Sequence, residues 1–114
     1  MEVIAMIKEV TSDQVFENII SDNEDVLMEF FASWCPHCKA FYPVLNAASA
    51  RLNEEGITVA QTEIDTYASI ADEYDIQSIP TLIFFHDGQP VAETSGELPE
   101  EGIFEFVKQA KAEI

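Results

Sequence analysis

The sequence predicts one α/β domain in which helices pack on both faces of a central mixed β-sheet. Its 114 residues fit a single domain, and a hydrophobic fraction of 47% supplies a core of matching size. Short apolar runs typical of strands alternate along the chain with segments of helical periodicity, which is the pattern of α/β folds. A strand–turn–strand signal in the last third adds an antiparallel pair, so the sheet is expected to be mixed.

The N-terminal part of the chain predicts a strand, a helix and a second strand. A short leading strand is expected around residues 6–8. Thr11 and Gln14 have the spacing of a capping box, and the apolar residues that follow predict a helix over residues 12–21. A nearly continuous apolar run over residues 26–32, interrupted by one glutamate, predicts a strand that is covered on both faces.

A long helix and a second buried strand are predicted for the middle of the chain. Apolar side chains at helical spacing define one face of this helix: Phe41, Leu45, Ala48 and Leu52. The helix is expected to end near Gly56 and to be kinked at Pro43, which cannot donate a backbone hydrogen bond. Residues 57–64 predict the next strand, and residues 67–74 predict a short helix.

The last third of the chain predicts a β-hairpin followed by a helix. Two short strands, residues 82–85 and 91–94, flank the turn dipeptide Asp87-Gly88. Residues 100–113 place apolar side chains on one face of a last helix. Because a right-handed crossover joins the first two long strands, we expect them to be parallel, with the hairpin as an antiparallel edge.

The acidic composition excludes several classes of partner. Five basic residues oppose 22 acidic ones, which gives a net charge of −17. Such a surface repels nucleic acids and anionic lipids, so neither is expected as a partner. No apolar run approaches the ~20 residues of a membrane-spanning helix, and residues 1–10 lack the apolar segment of a secretory signal. We therefore expect a cytoplasmic, monomeric protein.

Two cysteines between the first long strand and the long helix carry the predicted chemistry. Cys35 and Cys38 can form a disulfide within one helical turn, and Cys35 lies at the helix N-terminus, where free N–H groups favour a thiolate. Pro36 suits the first helical position, and His37 can add positive charge. Pro36 and His37 are expected to lower the pKa of Cys35 and so to make the disulfide more oxidising. Each pKa unit below ambient pH raises the reduction potential by roughly 30 mV.

The segment FFASWCPHCK, residues 30–39, resembles the active-site stretch of the thioredoxin family. Other residues match the family in register within residues 12–111: Pro43, Ile64-Asp65, Ile79-Pro80-Thr81, Asp87-Gly88 and Gly96. The resemblance implies the thioredoxin fold and a thiol-disulfide oxidoreductase that acts on protein thiols and disulfides in cell redox homeostasis. It implies no cofactor beyond a Cys35–Cys38 disulfide, and a thioredoxin reductase-like or other thiol donor as redox partner.

The family pattern also implies roles for individual residues. Cys35 would attack the substrate, and Cys38, buried beneath it, would resolve the mixed disulfide. Glu29 takes the position of a buried aspartate, where burial should raise its pKa and let it accept the proton of Cys38 through water. The alternative is that Glu29 reaches solvent at a strand end. Gln61 stands where the family commonly has a basic partner for that carboxylate.

A docking surface for an extended substrate is implied around the Ile79–Pro80 bond, which the resemblance predicts to be cis. A cis bond there would turn the backbone of Ile79 toward Cys35 and offer it to a peptide. Trp34 and Gly96 would complete the rim of this surface. As an alternative, Trp34 packs over the cysteine motif.

The dipeptide Pro36-His37 departs from the Gly-Pro pair of reducing thioredoxins and matches the family's periplasmic disulfide oxidases. Those oxidases carry a helical insertion, for which residues 64–79 leave no room. The sequence therefore predicts a minimal thioredoxin module with a disulfide more oxidising than that of a Gly-Pro thioredoxin.

Three other interpretations stay open at the level of sequence. The thiols could be buried and inert, although a helix N-terminus that follows a strand is normally accessible. A zinc site could form from four donors: Cys35, Cys38, His37 and His86. However, the sequence has no second closely spaced ligand pair, and His86 is expected on the surface. The surface around Trp34 could also bind peptides without redox chemistry, with His37 as a bystander.

Overall fold

The computed structural model describes residues 7–114, which form one five-stranded sheet and four helices. The elements are, in order, β1 (Ile7–Glu9), α1 (Asp13–Asp22), β2 (Asp25–Phe31), α2 (Pro36–Glu54), β3 (Ile57–Glu63), α3 (Ala68–Glu73), β4 (Thr81–His86), β5 (Gln89–Ser95) and α4 (Glu100–Ala112). This succession confirms the predicted one. The leading strand expected around residues 6–8 forms over Ile7–Glu9 in the described residues, and Met6 lies outside them.

β2 lies at the centre of the sheet, whose strand order is β1-β3-β2-β4-β5. It pairs in parallel with β3 and antiparallel with β4, and β4 and β5 form the hairpin. The crossover through α2 therefore gives the predicted parallel pair, and the sheet is mixed as expected. Since Phe30 pairs with Thr81, the residues that follow β2 lie near those that precede β4.

Helices cover both faces of the sheet, each over its own apolar layer. α1 and α3 pack over Met28 and Phe30 of β2, whereas α2 and α4 pack over Leu27. Each large apolar side chain buried in these layers contributes roughly 1.5–3 kcal/mol relative to an exposed position. Because successive residues of a strand point to opposite faces, Glu29 shares the face of Leu27, beneath α2.

The cap of α1 corrects one prediction. The side chain of Ser12, not that of Thr11, accepts a hydrogen bond from the backbone N–H of Val15, at 3.0 Å. Gln14 instead donates to Asn18, at 2.9 Å. The N-cap lies one residue later than predicted, and no capping box forms because Val15 takes the place of the glutamine. The backbone before it remains attached to β3 as far as Val10, whose N–H donates to the carbonyl of Gln61.

α2 is the longest helix and positions the cysteine motif at its N-terminus. It ends at Glu54, close to the predicted end, and contains Pro43. The kink expected at Pro43 stays a prediction. Within residues 7–114, no helix combines the length and the apolar character needed to cross a bilayer.

The hairpin turn forms as predicted at Asp87-Gly88. Both residues have positive φ, 51° and 81°, which matches the twist of a tight two-residue hairpin. His86, which precedes the turn, lies at the surface with its side chain half-buried. A residue distant in the sequence holds it there, since its Nδ1 lies 2.7 Å from a carboxylate oxygen of Asp25 at the start of β2.

Candidate active site

Cys35 is the N-cap residue of α2. Its Sγ accepts a hydrogen bond from the backbone N–H of Cys38 at 3.4 Å, and its carbonyl accepts from the N–H of Lys39 at 3.0 Å. Pro36 occupies the first helical position, where its missing N–H costs no hydrogen bond. The sequence reaches this geometry because β2 ends four residues earlier and a turn closed by Ala32 leads into the helix.

The two thiols are covered more completely than the sequence predicts. Cys35 exposes 4% of its surface and Cys38 3%. Together with Ala32 they form a small apolar cluster, against which Phe31 and Ile79 pack. The expectation that the cap residue is readily accessible is therefore wrong for Cys35. Ile79, in the loop before β4, packs against the cluster that contains it.

Although both thiols are buried, their pKa values shift in opposite directions. Burial raises the pKa of Cys35, but hydrogen bonds from the Cys38 thiol and from the N–H groups of Cys38 and His37 lower it by more. The pKa of Cys35 therefore lies below its ordinary value. Burial, with the nearby charges of Cys35 and Glu29, raises the pKa of Cys38 to about 12. Cys35 therefore ionises more readily than an ordinary cysteine, whereas the neighbouring Cys38 keeps its proton.

Glu29 is a buried carboxyl group under the cysteine motif. It is 1% exposed, and its Oε1 accepts a hydrogen bond from Nε2 of Gln61 at 3.1 Å. Burial raises the pKa of Glu29 to about 7; the bond from Gln61 lowers the pKa and the charge of Glu9 raises it. The alternative, that Glu29 reaches solvent, is wrong. A carboxyl group that titrates near neutrality is suited to exchange protons at physiological pH.

A cavity of about 450 Å³ joins Glu29 to the resolving thiol. Its lining includes side chains from three strands and from α2: Glu9, Glu29, Gln61, Cys38, Lys39 and Tyr42. A cavity of this size has room for water, and Glu29 and Gln61 supply polar partners for water that carries a proton between Cys38 and Glu29.

The imidazole of His37 contacts the carboxylate of Glu97, a partner that the sequence did not predict. Nδ1 of His37 lies 2.5 Å from Oε2 of Glu97, and both side chains are largely exposed. The group of His37 that lowers the pKa of Cys35 is its backbone N–H, whereas the charge of Glu97 raises that pKa. Sixty residues separate the pair, so only the position of Glu97 next to Gly96 could have indicated it.

The predicted docking rim comes together around Cys35. The Ile79–Pro80 bond is cis as predicted, and the N–H of Gly96 donates to the carbonyl of Pro80 at 2.8 Å. Trp34 is 62% exposed, so it does not bury its ring over the motif. Its Nε1 donates to Asp65 at 2.6 Å, a partner that sequence periodicity does not reveal.

The zinc interpretation does not fit the geometry. His86 pairs in register with Asp25 at the start of β2, whereas Cys35 and Cys38 follow the other end of this strand. A strand of this length separates the two by about 20 Å. The four donors, Cys35, Cys38, His37 and His86, therefore do not converge.

Comparison with known proteins agrees with the site. A family model described as Thioredoxin matches residues 7–109. The chain is 31% identical to a thioredoxin of Mycoplasmoides gallisepticum, over 89% of this chain and 99% of that protein. It is 37% identical to protein disulfide isomerase-like 1-4 of Arabidopsis thaliana over 80% of this chain, and 40% identical to a bifunctional thioredoxin reductase/thioredoxin of Mycobacterium leprae over 77%. It spans only 15% and 19% of those two longer proteins.

Solved structures show the same architecture. A mutant thioredoxin from Halobacterium salinarum superposes with a TM-score of 0.83 and 25% identity, over 96% of each chain.

The negative charge of Glu97 predicts how the pKa of Cys35 changes when Glu97 is replaced by a neutral residue. In Glu97→Gln the pKa of Cys35 should fall further, because a negative charge that opposes the thiolate is removed. The measurement is the pH dependence of alkylation by iodoacetamide. Glu105→Gln, a remote exposed change of equal charge, is the control. If the pKa of Cys35 is unchanged or raised in Glu97→Gln, the charge of Glu97 does not oppose ionisation of Cys35.

The buried Glu29 predicts a pH-dependent cost in stability. Because its pKa is higher in the folded chain, the free energy of unfolding should fall as pH rises from about 4.5 to 7 and stay lower above that range. Glu29→Gln should therefore unfold with a free energy higher by about 3 kcal/mol at pH 8, and nearly unchanged at pH 4. Urea denaturation at both pH values checks this. Equal differences at pH 4 and pH 8 would contradict the burial of an ionising group.

Proposed function

The chain belongs to the thioredoxin family, and we propose that it exchanges disulfides with protein substrates through a mixed disulfide at Cys35. The observation that carries this proposal is the geometry of the motif, in which Sγ of Cys35 caps α2 and Cys38 lines a cavity with the buried Glu29. Cys35 is stabilised as a thiolate by donors at the start of α2, whereas Cys38 is held as a thiol next to Glu29.

The reductive direction takes two displacements. The Cys35 thiolate attacks one sulfur of a substrate disulfide, and the other substrate sulfur leaves as a thiolate. Cys38 then gives its proton to the carboxylate of Glu29, through water in the cavity, and its sulfur attacks Sγ of Cys35. The Cys35–Cys38 disulfide forms, and the second substrate sulfur leaves. Oxidation of a substrate dithiol follows the same steps in reverse.

The substrate docks on the rim around Cys35. Trp34 offers an exposed aromatic face, and Ile79, half-buried, and Gly96, exposed, lie beside it. Pro80 is buried and positions Gly96, whose N–H donates to its carbonyl. An extended peptide that lies across this rim presents a sulfur to Cys35 without further opening of the fold. The contact of Ile79 with the cysteine cluster supports this arrangement, because it places one side of the rim directly beside Cys35.

The Pro36-His37 pair makes the disulfide more oxidising, chiefly through the backbone. The N–H of His37 is one of the donors that stabilise the Cys35 thiolate. In a Gly-Pro motif a proline occupies this position and supplies no N–H. The motif of this chain therefore stabilises the dithiol form more, which raises the reduction potential.

A cytoplasmic pool of reduced thiols would return the module to its dithiol form. A thioredoxin reductase-like protein or another thiol serves as the electron donor, and the Mycobacterium leprae relative, named as both reductase and thioredoxin, supports this class of partner. The proposed chemistry uses two sulfurs and one carboxyl group, with no further cofactor. Cell redox homeostasis is the corresponding role.

Trapping experiments test the proposed exchange. Cys38→Ser should accumulate a mixed disulfide between Cys35 and a substrate such as insulin, because the resolving thiol is missing, whereas Cys35→Ser should form none. Non-reducing gels and mass spectrometry identify the linkage. Insulin reduction that persists in Cys35→Ser, or Cys38→Ser that binds substrate without a covalent link, would exclude the proposal and favour a peptide-binding module.

Two variants separate the backbone of His37 from its imidazole. The double variant Pro36→Gly/His37→Pro removes the N–H, so it should lower the midpoint potential in graded glutathione buffers. His37→Ala keeps the N–H and should retain most of the oxidising character. A potential that falls as far in His37→Ala as in the double variant would assign the effect to the imidazole instead.

A further inference from the structure

Three polar side chains form a row across adjacent strands beneath α2. Glu9 of β1 pairs in register with Gln61 of β3, which pairs on its other side with Glu29 of β2. Directly paired residues point to the same face of a sheet, and all three line the cavity that contains Cys38. The row therefore leads from the resolving thiol to the edge strand of the sheet.

Exposure increases along this row. Glu29 is 1% exposed and Gln61 7%, whereas Glu9 is exposed at the edge of the sheet. The amide of Gln61 holds Oε1 of Glu29 but cannot take up or release a proton at physiological pH. A proton that leaves Glu29 along this row passes Gln61 by way of water in the cavity, and Glu9 is the titratable group at the outer end.

The polar and titratable groups that line the cavity with Glu29 come from β1, β3 and α2. β1 contributes Glu9, β3 contributes the neutral Gln61, and α2 contributes Cys38, Lys39 and Tyr42. Lys39 lies on the exposed first turn of α2. The charge of Glu9 opposes ionisation of Glu29, and burial raises the pKa of Glu9 itself. The two carboxyl groups are thus electrostatically coupled.

We propose that Glu9 is a positioning residue for the resolving step, which pairs with Glu29 across Gln61 to set the pH of that step and to carry its proton outward. The inference rests on the proposed function. Glu29 receives the proton of Cys38 when the Cys38 sulfur displaces the substrate from Cys35. The proton then passes from Glu29 to the Glu9 carboxylate through the cavity, and Glu9 releases it to solvent.

The test measures, as a function of pH, the rate at which Cys38 resolves a preformed mixed disulfide at Cys35. Stopped-flow fluorescence of Trp34, the single tryptophan, reports this rate. In Glu9→Gln the midpoint of the pH profile should move to lower pH, because ionisation of Glu29 is no longer opposed. Glu9→Asp should restore the wild-type midpoint in part. Glu54→Gln, a loss of one exposed charge at the opposite end of α2, should leave the midpoint in place.

A double variant distinguishes coupling from a structural effect. In a Glu29→Gln background, Glu9→Gln should cause no further shift, since the group that it influences is gone. An unchanged midpoint in Glu9→Gln, or an equal shift in Glu54→Gln, overturns the role of Glu9 and leaves the proposed exchange intact. If Glu29→Gln itself leaves this rate unaffected at every pH, the assignment of Glu29 fails, and the role of Glu9 fails with it.

Discussion

The cap of α2 by a sulfur atom is the interaction on which the rest of the site depends. A helix N-terminus has unpaired N–H groups, and in most helices a hydroxyl or carboxylate satisfies them. Here Sγ of Cys35 takes that place, 3.4 Å from the N–H of Cys38. The cap is better satisfied by a thiolate than by a thiol, so the secondary structure itself lowers the pKa of Cys35. A change that displaces the start of α2 would remove stability and reactivity together.

The central strand supplies the opposing half of the site at a cost. β2 is buried by helices on both faces, yet it carries Glu29 among apolar neighbours. An apolar residue at this position would stabilise the fold, but the buried carboxyl group that accepts the proton of Cys38 in the proposed mechanism would then be missing. The acidity of Cys35 and the basicity of Glu29 follow from two different environments, a helix end and a strand centre, that the β2–α2 connection brings together.

Local patterns predicted the elements well, because apolar periodicity and the Asp87-Gly88 turn act over a few residues. The position of Cys35 at the helix cap was predicted from the start of α2, and the burial of Glu29 from the resemblance to the thioredoxin family. Contacts between distant segments were not: Glu97 on His37 and Asp65 on Trp34 depend on which loops meet around the cap. The cap of α1 was misplaced by one residue, just after the chain leaves its pairing with β3 at Val10. The burial of Cys35 was also missed, since Ile79, in the loop before β4, packs against its cluster.

One NMR titration of the dithiol protein, with carbon-13 in the cysteine Cβ and glutamate Cδ positions, tests this account most directly. It predicts three separate events: Cys35 ionises below the ordinary thiol range, Glu29 titrates near pH 7, and Cys38 keeps its proton until about pH 12. Two cysteines that titrate together at the ordinary value, with a Glu29 that behaves like a surface glutamate, would contradict it.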